Sequence, residues 1–529
     1  MTAPSTRDTP AYRASSAAQN RDTPAYRASG AAQAGGGVLA GGRDGPAAVA
    51  ALAAVAMRAV ADGALARGGP LPAGGPATAA GGPAGAGIAA VASDGGAPAV
   101  DLAGLGGLPE YGVGAQRALA WLVRQLAEGA ADPAHPWCAG HLHCPPLAVA
   151  AAADLAASVL NPSMDSWDQA PSASALEAAV STTLAGLAFP AAARPDAVIT
   201  SGGTESNLLA LLLAREAAAG AAAARAIQPV CGRNAHHSVA RAGWLLGLPA
   251  PVVLDCVDGR LSVPALDTAL AGLSAPAVVV ATAGSTDTGS IDPLRHVAEV
   301  ARRYGARLHV DAAYGGGALF STALRPLLDG VELADTVSLD LHKFGWQPIA
   351  AGVLAVRDTA LLAPLATTAD YLNATDDTEA GLPDLLGRSL RTSRRPDAVK
   401  IAATFAALGR AGLAALVEHC CVTAASVAAR VAQRPSLRLW APPTLSTVVF
   451  RPAGVPDAVV AQVRRSLMDG GRAVLGRAVI PDDDGVHRLW LKLTLLHPTA
   501  TADDYDGLLD LVEAAVAAVR ELDTSGVAP

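Results

Sequence analysis

Short apolar runs alternate with stretches of helical period through the middle of the chain. Runs at 197–200 (AVIT), 251–254, 277–282, 307–310 and 336–339 have the length and β-branched content of buried strands. Segments near 204–218, 239–246, 264–273 and 293–304 carry the period of helices, and Gly and Pro mark the joins. That order predicts an α/β fold with a mostly parallel sheet covered by helices. Beyond Pro396 the pattern changes to a long Ala/Leu helix, alternating strands at 446–451 and 488–495, and a closing helix from Ala502. We expect a smaller α+β C-terminal domain there, over 396–529, after a large domain over 191–395. Residues 45–190 read as a largely helical N-terminal segment.

The first residues read differently. RDTPAYRASSAAQ at 7–19 returns as RDTPAYRASGAAQ at 21–33, a period of fourteen. Two polar copies cannot bury a core, so 1–44 is expected to be a disordered extension. The Gly, Pro and Ala of 69–87 suggest a flexible linker.

Composition narrows the picture. Of 529 residues, 51% are hydrophobic but only 4% aromatic, so the core relies on many small contacts between closely packed helices. The net charge is −8 and no Lys/Arg run forms a nucleic-acid footprint, so we expect no nucleic-acid partner. The six cysteines form no CxxC pair, which predicts free thiols in a reducing cytosol and no metal site. No charged-then-apolar leader opens the sequence, and the apolar stretch 47–66 is broken by Arg58 and Asp62. We therefore expect a cytoplasmic protein, with that stretch a surface helix and no membrane association.

Four segments carry candidate chemistry. SLDLHK at 338–343 puts Lys343 after an apolar run, where burial would leave a nucleophilic amine. LHVDAA at 308–313 puts Asp311 at a strand end, where a carboxylate needs a partner such as a protonated pyridine nitrogen. TSGGTESN at 200–207 sits between strand and helix, and its glycines let backbone amides approach a phosphate, with Thr204 adding a hydroxyl. NAHHSV at 234–239 offers an imidazole that could lie over a ring. Each alone also has a plain structural reading: a solvated lysine, a capping aspartate, an ordinary turn, a core histidine. Together they gather at the strand C-termini, the edge where ligands bind in such sheets.

These segments resemble the pyridoxal-phosphate-dependent group II amino-acid decarboxylases of fold type I, from about His135 to about Ala500. HVDAAYGG at 309–316 and DLHK at 340–343 are the most specific stretches. The resemblance implies a fold type I, transferase-like architecture with a mostly parallel seven-stranded sheet, pyridoxal 5′-phosphate as cofactor, and a homodimer. By position, Lys343 resembles the Schiff-base lysine, Asp311 the partner of the pyridine nitrogen, His236 the ring-stacking histidine and Ala313 a residue against the ring. Thr286 resembles a threonine beside the cofactor, and Gly203, Thr204 and His342 resemble positions near the phosphate. Tyr371, in ADYLN, resembles the mobile-loop tyrosine that protonates the carbanion. Asp340 stands where the family often has Asn.

Further likeness is to 2,4-diaminobutyrate and siderophore-pathway lysine decarboxylases, through HLHCPP at 141–146, SMDSWDQAP at 163–171, ADYLN and SLRTSRR at 389–395. It implies a small amino-acid substrate, a diamino acid first, with His141, His143 and Asp165 as substrate candidates. Asp165 and Asp168 could meet a distal ammonium or cap a helix. Cys144 and Thr368 depart from the Thr and His common in those relatives. Lysine, ornithine, glutamate or aromatic substrates remain open at this point, as do aldehyde synthase or transaminase chemistry and a non-catalytic scaffold.

Overall fold

The computed structural model describes residues 39–74, 112–218, 227–367, 369 and 371–525. The fourteen-residue repeat, residues 75–87 of the expected linker and Thr368 lie outside the described residues. Among the described residues, four helices lie in the N-terminal region: α1 (Gly45–Arg67), α2 (Ala115–Gly129), α3 (Ala148–Leu160) and α4 (Pro171–Ala188). α1 has the length and a mean hydropathy, 1.7, that would suit a bilayer. Here it packs along α2 as a hairpin. Gly63 makes the close approach possible, because a Cβ there would stand 2.4 Å from the Arg124 carbonyl oxygen. Arg67 locks the open end, donating to the Ala127 carbonyl at 2.7 Å and to Asp132 at 2.8 Å.

The apolar runs then pair into one seven-stranded sheet. Its strands are β1 (Asp196–Thr200), β2 (Gln228–Gly232), β3 (Val252–Leu254), β6 (Ala277–Thr282), β7 (Arg307–Asp311), β8 (Thr336–Asp340) and β9 (Gly352–Val356), and their spatial order is β1-β9-β8-β7-β6-β2-β3. A two-stranded hairpin, β4 (Cys256–Val257) and β5 (Arg260–Leu261), stands apart. Only β9 runs against the others, pairing antiparallel with both β1 and β8. β6, β8 and β9 are buried at every position, as expected of strands covered on both faces. Among the described residues, the intervening helices are α5 (Gly203–Glu216), α6 (Ser238–Leu245), α7 (Val263–Ala271) and α8 (Leu294–Arg303).

The five anticipated strands form within a residue or two of their expected limits. β2 and β9 were not anticipated. β2 opens on Gln-Pro and has only Val230 and Cys231 as its apolar centre, and β9 follows a loop that is itself apolar.

After a short helix, α9 (Thr375–Glu379), comes α10 (Ala398–Gln433), kinked at Gly409 with φ +60°. A second sheet follows, β10 (Leu437–Leu439), β11 (Thr447–Pro452), β12 (Gly476–Pro481) and β13 (His487–Thr494), fully antiparallel in the order β10-β11-β13-β12. α11 (Asp457–Asp469) and α12 (Asp506–Ser525) pack on it. α10 belongs to both halves. Ile401, Leu413 and Val417 join the core of the large sheet, and Ala424, Val427 and Val431 join that of the small one. The passage between the two cores therefore lies inside α10, not ahead of it at Pro396.

Candidate active site

The C-terminal ends of β1, β6, β7 and β8 meet around a cavity of about 300 Å³. Lys343, Asp311, His236, Gly203, Thr204, Thr286, Ala313 and His342, which the sequence scatters over 140 positions, all line it. Larger clefts occur, one of about 670 Å³ beneath the opposite strand ends, but its wall carries Arg295, Arg302, Arg307 and Arg357, with Asp335 already paired to Arg307 and Arg357, and holds none of these candidate residues.

Asp311 closes β7 and is buried. Such a carboxylate is costly unless donors surround it. Three do: Asn207 Nδ2 at 2.7 Å, Ser338 Oγ at 3.1 Å and the Ala313 backbone N–H at 3.1 Å. Burial is the largest single influence and pushes the Asp311 pKa up. The Asn207 bond, His309, Lys343 and the Ala313 amide together outweigh it and hold the group below the ordinary carboxylate value. Asp311 is thus kept as an anion facing the cavity.

Lys343 follows β8, with its Nζ 3.0 Å from Asp340 Oδ2. His342 Nε2 lies 3.6 Å from the same oxygen, and burial above all lowers its pKa. His236 precedes α6 and presents its ring to the cavity, with Nδ1 2.8 Å from Ser238 Oγ. Its pKa is lowered, first by burial and next by His237. Both imidazoles are therefore held toward the neutral form.

The turn into α5 forms the floor. A Cβ at Gly203 would come within 3.0 Å of Ala313 Cβ and 3.2 Å of Asp340 Oδ2, and one at Gly352 within 2.4 Å of Gly202 Cα. Only glycines let these segments close around an anion at the N-terminus of α5. Thr282 Oγ1 and Asp340 Oδ1, both on the cavity wall and buried, have no hydrogen-bond partner. A glycine cradle, an anionic acid, a lysine and unpartnered polar atoms suit a phosphorylated heteroaromatic aldehyde. The Asp340 carboxylate is the one departure on the phosphate side, and it faces Lys343 Nζ and His342 Nε2.

The substrate and loop candidates are placed differently. Leu142 lines the cavity, while His141 and His143, on either side of it, are exposed at its rim. Asp165 lies away from the cavity wall. It accepts from Gln169 Nε2 at 3.1 Å and Ser393 Oγ at 3.2 Å, so its carboxylate ties the 389–395 segment down. Asp168 is exposed and bonded to Ser166. Tyr371 is 84% exposed and is not part of the wall.

Other side chains were not anticipated. Asn207, Ser238 and His309 form a buried layer behind Asp311 and His236. Two had a usable signal: Asn207 lies one helical turn after Thr204, and His309 shares the strand face of Asp311 by period two. Lys492 had none. It reaches from β13 to donate to the Thr286 carbonyl at 2.7 Å, and burial lowers its pKa.

Comparison with known proteins agrees with this geometry. Residues 124–453 match the pyridoxal-dependent decarboxylase conserved domain. The L-2,4-diaminobutyrate decarboxylase of Rhizobium meliloti (strain 1021) is 42% identical over 435 residues, covering 80% of this chain and 86% of that protein. The L-2,4-diaminobutyrate decarboxylase of Acinetobacter baumannii is 32% identical over 447 residues, covering 78% and 86%. Among solved structures, the glutamate decarboxylase domain of diaminobutyrate-pyruvate transaminase and L-2,4-diaminobutyrate decarboxylase from Vibrio parahaemolyticus superposes with a TM-score of 0.76 at 28% identity, over 92% of this chain and 99% of that one. The chain belongs to the pyridoxal-dependent decarboxylase family and is a pyridoxal-phosphate-dependent amino-acid decarboxylase.

Proposed function

We propose that this enzyme decarboxylates an L-diamino acid, 2,4-diaminobutyrate first among them, to the corresponding diamine and CO₂. The observation that carries the reading is that Lys343 and Asp311 line the same cavity of about 300 Å³ in a chain 42% identical to a diaminobutyrate decarboxylase. When bound, the pyridoxal ring supplies the electron sink that accepts the pair left as CO₂ departs.

The protein's own side chains do the rest. The Lys343 amine would hold the cofactor aldehyde. Asp311 would keep a proton on the ring nitrogen. Gly203, Thr204 and His342 would hold the phosphate end, and His236 would help orient the ring. The apolar wall at Leu142 keeps water from the substrate carboxylate, which weakens its hydration before the bond breaks. We assign the final proton delivery to Tyr371 by resemblance. Its exposed position requires the 366–388 segment to move, or a second chain to supply the residue.

A second copy of this chain is the partner we propose. Leu39, Met57, Leu65, Leu126 and Leu160 remain more than half exposed over the N-terminal helices, an apolar surface that suits burial in a homodimer. A cytoplasmic location fits the six free cysteines.

The test is CO₂ release from diaminobutyrate, lysine, ornithine, glutamate and aromatic amino acids with added cofactor. We expect diaminobutyrate to give the largest kcat/KM. A larger value for glutamate or an aromatic substrate would overturn the substrate assignment.

A further inference from the structure

We propose that Asn207 is a positioning residue that fixes both the Asp311 carboxylate and the His236 tautomer through one buried chain of hydrogen bonds, and that His309 sets the orientation of Asn207. This rests on the reading of Asp311 and His236 given above. Ionised Asp311 Oδ2 can only accept, so the atom 2.7 Å from it must be the Asn207 amide nitrogen. The second hydrogen of that nitrogen goes to Ser238 Oγ at 2.8 Å. Ser238 is thereby left to donate its own hydrogen to His236 Nδ1 at 2.8 Å, and its backbone N–H points at the same nitrogen from 3.3 Å. Nδ1 therefore carries no proton, and a neutral His236 carries its proton on Nε2.

At the other end, Asn207 Oδ1 accepts from His309 Nε2 at 2.9 Å, and His309 Nδ1 accepts from the Thr336 hydroxyl at 2.9 Å. All of Asn207, Ser238, His309 and Asp311 are buried. Each hydrogen in the chain thus has a single consistent direction, which turning the Asn207 amide over would break at three bonds.

The groups facing Asp311 are Asn207 from α5, His309 beside it on β7, Ser338 from β8, and the Ala313 amide and Lys343 after the strands. Those facing His236 are His237, Asp311, Lys343 and Asp340. Of these, Asn207 alone bonds to both branches. Losing its donor makes the Asp311 carboxylate easier to protonate, so the ring-nitrogen contact fails at a higher pH.

The experiment titrates cofactor-loaded protein downward from neutral pH and follows the visible band and the cofactor retained after gel filtration. We expect Asn207→Leu to raise the pH of half-release by about one unit. His309→Leu should shift it in the same direction. His309→Gln, whose amide can still donate to Asn207, should release at the wild-type pH. An unmoved release pH in Asn207→Leu or His309→Leu overturns the proposal, as does a His309→Gln shift equal to that of His309→Leu. If Asn207→Leu does not fold, the His309 pair decides. Wild-type protein that develops no visible band with cofactor would instead defeat the underlying reading of the site.

Discussion

Lys343 is the residue on which turnover depends most directly. Lys343→Ala should abolish both CO₂ release and the visible absorbance of bound cofactor, read by a radiometric assay and a spectrum of the purified protein. Tyr371 stands at the opposite extreme, exposed and off the wall, yet assigned the last proton. Tyr371→Phe should impair turnover by about a hundredfold or more with cofactor still bound, as for loss of a general acid. Normal CO₂ release would remove Tyr371 from the mechanism. Asp165 is engaged by Gln169 and Ser393. Asp165→Asn should therefore leave the KM for diaminobutyrate unchanged.

His309 gives the residue scale a pH dependence. Burial pushes its pKa from 6.5 down to about 4. Between those values the unfolded chain takes up a proton that the native state refuses, so stability falls as pH drops through that window. The loss is on the order of 3 kcal/mol for one fully buried imidazole. Thermal melts at stepped pH should show a shallower acid-side decline in His309→Gln than in the wild type.

Elements hold the site through a few specific contacts. Arg394 and Glu177 form a bidentate pair with both side chains almost wholly buried, joining the 389–395 segment to α4. Removing one partner strands a buried charge, so Glu177→Ala should cost about 3–5 kcal/mol by denaturant unfolding. A loss within error of zero would mean that the segment is held elsewhere. The two glycines at the β1–α5 turn act by absence of a side chain. β9 can run antiparallel between β1 and β8 only because Gly352 passes Gly202 without a Cβ.

At the scale of the whole molecule, α10 is the shared member of both cores, and Lys492 is a direct polar link from the small sheet to the cofactor cavity through Thr286. A shift of the small sheet would therefore be felt at Thr286. The exposed apolar side chains over α1, α2 and α3 belong to this scale as well. The wild type should run as a dimer in light scattering, and Leu65→Lys, at an 83% exposed position, should weaken it with little change in the fold. A monomeric, active wild type would remove the second copy from the proposal.

The sequence alone determined the β/α order, five of the seven large-sheet strands and the four chemical segments, because burial on both faces forces apolar runs and anion cradles force glycines. It could place Lys343 and Asp311 at strand ends, since that is a local property. Tertiary structure decided what is not local. The antiparallel insertion of β9 depends on a contact between Gly352 and Gly202, residues 150 positions apart. The setting of His236 is a hydrogen-bonded chain running from Thr336 through His309 and Asn207 to Ser238. Asp165, which sequence left between a substrate contact and a structural tie, accepts a hydrogen bond from Ser393 of a distant segment. Hydrogen-bond direction and burial are properties of neighbours in space, and a one-dimensional pattern carries the neighbours only where they are also close along the chain.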